Sequence, residues 1–527
     1  MSSTSAAPPS SGASLARRIA IAALLIAVGN IASRVLGLAR ESVIARTFGV
    51  SLAVDTFTAA SAIPTTLYDL LINGAISAAL VPVFSEYAEG DEREFWRIAS
   101  IVINLALLVV AAVTALLIWQ APLAVTVLAG GFAGPAREQA TWMVRLLLPA
   151  VIFMALSGLI TALLYARQRF LLPAFTTSAF NAGIILAALL LTPLLGPFSL
   201  VAGVLIGALL QVLLQLPGLR GMIYQPVIDL RHPAVRRILK LYAPVAMGIG
   251  FSVAGIVLDR NLASRLPQSA LSTMRYATTL IQFPLGLVAA AVSFAILPTL
   301  SRQASADDEG AFRTTLAMGI KVVLLLILPA AAGLAALAQP VVAALFQRGS
   351  FTPADSATTA RALLLYLPGL PAAAVDQMLL FAFYAHKRTL APNLVQGAAV
   401  GIYAATALSL LALNLGVGAL ILGNSAQWVG HMLILLLLSR GLVSLRGLRI
   451  GEALAKSAVA SIAMGLAAWS IAVALRPVSG PLIQLAAAGG VAVALYFGLC
   501  ALLRVEALDF FIAAVRRRIA RRAAVAD

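Results

Sequence analysis

The sequence predicts an all-α polytopic membrane protein with 14 transmembrane helices, arranged as two six-helix lobes in parallel repeat plus a C-terminal helix pair. Three observations carry this. First, 61% of the 527 residues are apolar and 11% are charged, with a mean hydropathy of +0.99. A water-soluble domain carries roughly a quarter charged residues, and a disordered chain has low hydrophobicity. Second, apolar stretches of the ~20 residues needed to cross a bilayer recur along the whole length. Third, the chain matches itself at an offset near 219.

Residues 1–16 are rich in Ser, Ala, Pro and Gly and read as a disordered N-terminal tail. Arg17 and Arg18 precede an apolar run that imitates a signal peptide, but the helical pattern continues through Arg34 to Gly49 with no cleavage site. The expected spans are 19–49, 58–86, 97–120, 140–165, 173–193, 199–217, 241–263, 271–300, 314–338, 360–384, 391–413, 417–438, 454–475 and 482–503. They group into an N-lobe (17–217), a cytoplasmic linker (218–240), a C-lobe (241–438), a hairpin of the last two spans (439–503) and a basic tail (504–527). In the tail, apolar residues alternate with an Arg cluster, which fits either an interfacial amphipathic helix or a solvated basic segment.

Basic residues test the topology. With the N-terminus inside, inner segments hold 25 of the 37 Lys and Arg and outer loops hold 4 (Arg137, Arg265, Arg348, Arg476). That asymmetry orients a multi-pass protein with both termini cytoplasmic. It also accounts for most of the net charge of +17 through orientation and anionic headgroups, which argues against nucleic acid as a partner. The single cysteine, Cys500, excludes a disulfide framework within the chain, and the three histidines, His232, His386 and His431, are too scattered for a metal site. No P-loop is present. With no catalytic set and no inserted soluble domain, an enzyme is a poor reading.

The repeat is anchored at five places. Tyr165–Pro173 matches Tyr384–Pro392, Leu148-Pro149 matches Leu367-Pro368, and Phe132 matches Phe351, each at an offset of 219. Pro64 opposes Pro284 at 220 and Pro82 opposes Pro298 at 216. The period covers six spans, an even number, so the halves share one orientation. Such lobes enclose a central site and rock against each other.

Ionisable groups inside spans are functional candidates, because a charge at the bilayer centre costs roughly 2.5–3.5 kcal/mol on insertion scales. The first span carries Arg34, Arg40, Glu41 and Arg46. Arg34 and Glu41 are seven apart and share a face, whereas Arg40 joins them only if Gly37 permits a bend. Arg34 is expected to line a cationic cavity for an anionic substrate, the alternative being that it pairs with a carboxylate. Arg40 and Arg46 either do the same or snorkel to the interface. The second span carries Asp69 and Asn73 on one face beside Gly74, with Asp55 before it. Asp69 is either an ion-pair partner for these arginines or a proton relay. Asp259 is a candidate for a coupling Na⁺ or H⁺, or forms a salt bridge to a residue such as Arg275. Lys321 is expected to snorkel, and Asp376 shows no partner.

Several of these stretches resemble a known family. Ser33–Glu41, Ala45–Gly49 and Asp55 look like the first-helix signature of the MurJ (MviN) lipid II flippases, within the multidrug/oligosaccharidyl-lipid/polysaccharide exporter superfamily. Gly74-Ala75 with Val81–Tyr87, Phe283-Pro284 with Leu297–Ser301, Leu345–Thr352, Arg169-Phe170, Pro173–Phe175 with Asn181, and Phe383–Ala385 also fit.

The resemblance implies a V-shaped transporter of a bacterial plasma membrane. It would move undecaprenyl-pyrophosphoryl disaccharide-pentapeptide from the inner to the outer leaflet for peptidoglycan synthesis, and cell-wall synthesis or division proteins would be its partners. It places Arg34 and Arg40 on the pyrophosphate, which guanidinium suits through bidentate hydrogen bonds. Asp69 and Asn73 stand in the cavity, and Gly37, Gly74, Pro64, Pro284, Glu41 and Asp55 are gating or structural positions. The last two spans match a hairpin that forms a groove for the polyprenyl tail. No cofactor is implied beyond a coupling Na⁺ or H⁺.

The chain departs from the family pattern in the second helix, where Tyr68, Asp69 and Asn73 replace two basic residues and an acid. In the eighth, Tyr-Ala-Asp-Arg reads Tyr276-Ala277-Thr278-Thr279, and Arg275 is a candidate replacement charge. Asp259 matches an acid linked to sodium, while the eleventh-helix positions that would hold its polar partners carry Tyr403 and Ala407, aromatic and apolar, which argues against a complete sodium site. Beside lipid II transport, the sequence therefore leaves open a flippase for another polyprenyl-linked glycan, a drug or cation antiporter, and a non-transporting cell-wall scaffold.

Overall fold

The computed structural model describes residues 11–267, 269–388, 390–510 and 512–513, with side-chain surroundings described for these except 11–24, 78, 244, 289–295 and 297–298. Among the described residues there is helix and no strand. Ten helices are long and apolar enough to cross a membrane. Others of the expected spans are interrupted or short, as the second is, so 14 remains an expectation.

In chain order the helices are α1 (Ser11–Phe48), α2 (Leu52–Tyr68), α3 (Val81–Ala88), α4 (Glu92–Trp119), α5 (Ala121–Ala129), α6 (Gly134–Leu147), α7 (Ala150–Ala166), α8 (Leu171–Ala174), α9 (Thr176–Leu190), α10 (Thr192–Leu195) and α11 (Phe198–Gln215). Then follow α12 (Pro233–Ser264), α13 (Ala270–Ala295), α14 (Leu297–Ser305), α15 (Glu309–Ala336), α16 (Ala338–Phe346), α17 (Pro353–Tyr366), α18 (Leu370–Ala385), α19 (Leu390–Ala412), α20 (Val417–Ser439), α21 (Ile450–Leu475) and α22 (Pro481–Leu502). α1 begins at Ser11, so part of the expected tail is helical. Ala13, Leu15 and Ala16 are strong helix formers that extend it. Residues 1–10 of that tail, and 511 and 514–527 of the basic tail, lie outside the described residues.

Two compact units emerge. One comprises Met1–Arg40, Ser61–Ala121 and Trp142–Ala246; the other comprises Glu41–Ala60, Pro122–Thr141 and Met247–Asp527.

In the first unit, α9, α11 and α7 pack together, with α3 and α4 against α7. The α9–α11 crossing depends on missing side chains. A Cβ on Gly183 would lie 2.5 Å from Gly207 Cα, and one on Gly207 would lie 2.5 Å from Phe180 O. Gly203 and Gly207 form the small-xxx-small spacing that lets helix backbones approach in lipid. The linker after α11 is pinned to α4. Asn104 donates to the carbonyls of Gln225 and Val227 (3.1 and 2.9 Å), and Gln225 N–H donates to Ser100 Oγ (3.0 Å).

The second span is not one α-helix. Between α2 and α3 lie two π-helical turns, Asp69–Asn73 and Ile76–Leu80. Gly74 N–H reaches Asp69 O and Val81 N–H reaches Ile76 O, each five residues back. Pro82 follows and has no N–H to continue the ladder. π-turns of this kind concentrate at functional sites. Gly158 of α7 makes room for the wider coil, since a Cβ there would lie 2.6 Å from Ile72 Cγ2.

In the second unit, α19 packs on α20, α18 on α20 and α15, and α13 on α17. The α21–α22 hairpin packs on α15 through a stripe of small residues, including Ala460, Ala468, Ala472, Ala488 and Ala492. Tyr496 Oη donates to Leu325 O at 2.7 Å. Cys500 is buried in the same cluster.

The repeat is written into the backbone. α7 ends at Ala166 and α18 at Ala385, each followed by a left-handed residue, Gln168 and Lys387, both with φ 57°. Arg169 N–H reaches back five residues to Leu164 O, and Arg388 N–H to Phe383 O, the helix-ending pattern of a Schellman turn. Gly196 and Gly416 precede α11 and α20 with φ 53° and 55°. At all these positions, residues some 219 apart do the same work.

Candidate functional site

In the second unit, the end of the first span is held by charge and backbone. Glu41 is 1% exposed. Arg275 donates to it from Nε (2.7 Å) and Nη2 (2.8 Å), so the pair is bidentate. Arg275 Nη1 also reaches Thr58 Oγ1 (3.4 Å), and its guanidinium lies 5.3 Å from the centre of the Phe57 ring. The charge that the sequence offers in place of a missing arginine is therefore neutralised inside the fold. The partner of Arg275 is thus Glu41 and not Asp259, the alternative that the sequence offered. The physical reason is burial: a desolvated Glu41 demands a partner, and Arg275 supplies it.

Asp55 accepts from Ser269 N–H and Ser272 N–H, both at 2.7 Å, and so satisfies donors at the start of α13. Tyr276 Oη donates to Gly49 O (2.9 Å). Gly49 has φ 62°, and a Cβ there would lie 2.4 Å from Ser350 O. Ser350 donates its N–H to Arg46 O (2.9 Å) and its Oγ to Thr47 O (3.0 Å). The Thr47–Gly49 and Arg348–Phe351 stretches, far apart in sequence, are thus one structural seam.

In the first unit, α1 runs unbroken through Gly37. Arg34 is half-buried. Arg40 Nη1 donates to Asn181 Oδ1 (3.0 Å), and Asn181 Nδ2 donates to Ser33 O (3.1 Å). Arg40 is thereby oriented within the protein by α9, which favours a positioned group over one that only snorkels. Asp69 accepts from Asn73 Nδ2 at 2.8 Å across the first π-turn, and Gly74 closes that turn. Pro64 lies inside α2 and Pro284 inside α13.

Asp259 has a different setting from the one its sequence suggests. Tyr403 Oη donates to it (2.7 Å), as does Asn424 Nδ2 (3.2 Å). Tyr403, an unpromising aromatic in the sequence, is a polar partner after all, because its ring is buried while its hydroxyl reaches the carboxylate. These groups border a cavity of about 380 Å³ that Arg260, Thr278 and Gln427 also line.

Two other ionisable residues find partners that the sequence did not reveal. Lys321 does not snorkel: it is 5% exposed and donates to Glu506 at 2.6 Å. Asp376 pairs with His431 Nδ1 at 2.7 Å. Both contacts join residues distant along the chain, so only the packed helices bring them together. Among the described residues, no group of three or more His, Cys, Asp or Glu could hold a metal ion.

Residues 44–483 match the family model described as "Lipid II flippase MurJ". The chain is 34% identical over 423 residues to the lipid II flippase MurJ of Burkholderia cenocepacia, covering 75% of this chain and 81% of that one. It is 32% identical to the probable lipid II flippase MurJ of Haemophilus influenzae, covering 83% and 89%. A solved structure of a lipid II flippase MurJ in an inward closed conformation superposes with a TM-score of 0.78, at 24% identity, over 92% of this chain and 99% of that one. An inward-facing multidrug resistance MATE family transporter superposes at 0.67 with 12% identity, over 82% and 98%.

Proposed function

The chain belongs to the lipid II flippase MurJ family, and on that premise we propose that it carries lipid II across the bacterial cytoplasmic membrane, from the inner to the outer leaflet. The observation that carries this is the family match over residues 44–483. The protein is a multi-pass bacterial membrane protein of a transporter family. On our reading both termini are cytoplasmic, the protein performs no catalysis, and the lobes expose the substrate alternately to either side. Cell-wall synthesis or division proteins are its partners.

Within the site we assign Arg34 and Arg40 to the pyrophosphate. Guanidinium presents a planar fork that matches phosphate oxygens. Asn181 supports Arg40 in one orientation, which lowers the entropy lost when an anion arrives. Asp69 and Asn73, on a π-turn, shape the same unit's polar surface. Arg275 and Asp55 are positioning residues for the first-span segment of the second unit. Asp259, with Tyr403 and Asn424, is the coupling-cation site, for Na⁺ or H⁺. A half-buried carboxylate flanked by a neutral hydroxyl and an amide suits either ion.

The test is to deplete the protein in cells lacking other flippases and follow lipid-linked precursors by leaflet. Lipid II should accumulate inside. Normal delivery of lipid II to the outer leaflet would overturn the reading, and accumulation of another polyprenyl-linked glycan would reassign the substrate. Arg34→Ala separates transport from scaffolding, because a scaffold keeps its function in that variant and a flippase loses it.

A further inference from the structure

We propose that the polar cavity inside the second unit recognises the amide-bearing part of the lipid-linked headgroup, either its N-acetylated sugars or its peptide stem. This rests on the flippase reading above and specifies what one of its pockets takes.

The cavity's chemistry differs from that of an anion site. Four carboxamides line it: Gln282, Gln396, Asn424 and Gln427. A carboxamide offers a donor and an acceptor side by side, so it pairs in two-bond fashion with another amide. Among the described residues, no hydrogen bond from the chain engages the side chains of Gln396 and Gln427. Arg260 Nε is buried without a partner. A buried donor left unpaired in a native fold points to a group supplied from outside, and an amide or carboxyl oxygen meets that need.

Charge argues the same way. One acid and one base line the cavity, Asp259 and Arg260, so even with the coupling ion on Asp259 it holds a single net charge. A diphosphate entering would meet a carboxylate for every guanidinium, whereas a neutral polar group meets no penalty. Thr278, where the family pattern has an acid, contributes only a hydroxyl. The aromatic wall completes the setting: the rings of Trp428 and Tyr366 lie 6.2 Å apart at 35° and give the cavity an apolar face beside its amides. A volume of about 380 Å³ falls in the ~300–1,000 Å³ range of small-ligand pockets.

The experiment measures binding of three lipids to the purified full-length protein in lipid nanodiscs: lipid II, the polyprenyl-pyrophosphoryl disaccharide without peptide, and bare polyprenyl pyrophosphate. Wild type should hold lipid II at least tenfold tighter than the bare lipid. Gln396→Leu with Gln427→Leu should reduce that preference about tenfold, as two lost hydrogen bonds imply. Its affinity for bare polyprenyl pyrophosphate should not change, which also reports that the variant is folded. The peptide-free lipid distinguishes the sources: it binds like lipid II if sugars fill the cavity and like the bare lipid if the peptide does. Should the double variant not fold, Gln427→Leu alone should reduce the preference severalfold. A folded variant that keeps the full preference overturns the proposal, as does a wild type that binds lipid II and bare lipid equally. Failure of the wild type to bind any polyprenyl diphosphate instead overturns the flippase reading itself.

Discussion

Glu41 receives both forked N–H groups of Arg275, at 2.7 and 2.8 Å, in a place where the carboxylate is 1% exposed. The two residues lie 234 positions apart, and Arg275 taken alone looks like a substrate ligand. Paired, they are structural: an acid one residue beyond Arg40 is closed off by a base from α13.

Removing one partner of this pair should destabilise the protein strongly. Arg275→Ala takes the bidentate partner from a buried carboxylate, a change that costs about 3–5 kcal/mol in comparable sites. The melting temperature of the purified protein should fall accordingly. Arg275→Lys should recover only part of the loss, because a point charge cannot reproduce the fork. Combining Arg275→Met with Glu41→Leu should restore most of it. A double variant no better than Arg275→Ala would mean that the pair does not act as a unit.

A second expectation concerns Arg40. Asn181 accepts from it at 3.0 Å and is itself anchored on Ser33 O. Arg40→Ala should weaken binding of polyprenyl pyrophosphate by about tenfold or more, the value of one charge-assisted hydrogen bond. Asn181→Ala should give a smaller loss, because the guanidinium survives but is no longer held. Titration of bare polyprenyl pyrophosphate into each variant provides the measurement, and equal affinities across the set would remove Arg40 from the site.

The sequence disclosed the large-scale plan because that plan rests on local signals. Apolar runs mark spans, and the repeat recurs as identical turn geometry at Gln168 and Lys387. The first-helix motif and the Arg348–Phe351 loop could be read separately, but not the seam between Gly49 and Ser350, which exists only after folding. The π-turns at Asp69–Asn73 and Ile76–Leu80 were equally hidden, since hydropathy runs smoothly through them. Pro82 was the available hint. Partners such as Asn424 for Asp259 and His431 for Asp376 follow from helix packing, and no spacing rule along one helix could supply them. The small-residue spacing of Gly203 and Gly207 stands in the sequence, but the helix it meets appears only in the fold.

That glycine pair supports a third expectation. A Cβ on Gly207 would meet Phe180 O at 2.5 Å and Phe180 Cδ2 at 3.0 Å. The first of these is backbone, which cannot rotate away, so Gly207→Val must push α9 and α11 apart. Overpacking of this kind typically costs about 1–3 kcal/mol. The variant should show a lower melting temperature and a reduced yield of folded protein in the membrane. Gly401→Ala offers no such clash, since nothing lies within 4 Å of its position, and inside α19 an alanine should leave the melting temperature unchanged or slightly raised. If Gly207→Val melts with the wild type, the helices do not cross as closely as described.

The last expectation concerns coupling. Asp259 is gripped by Tyr403 Oη and Asn424 Nδ2, both neutral, so the carboxylate's charge is not cancelled by these two contacts. A cation or a proton is the natural counterweight. Asp259→Asn should therefore abolish the dependence of lipid II transport on a Na⁺ or H⁺ gradient in proteoliposomes, while Arg34-dependent binding of polyprenyl pyrophosphate persists. Tyr403→Phe keeps the charge but removes one oxygen, so it should raise the ion concentration needed for half-maximal transport severalfold without abolishing coupling. The two variants together separate charge from coordination. Gradient dependence that survives Asp259→Asn would move the coupling site elsewhere, with the Asp376–His431 pair the next place to substitute.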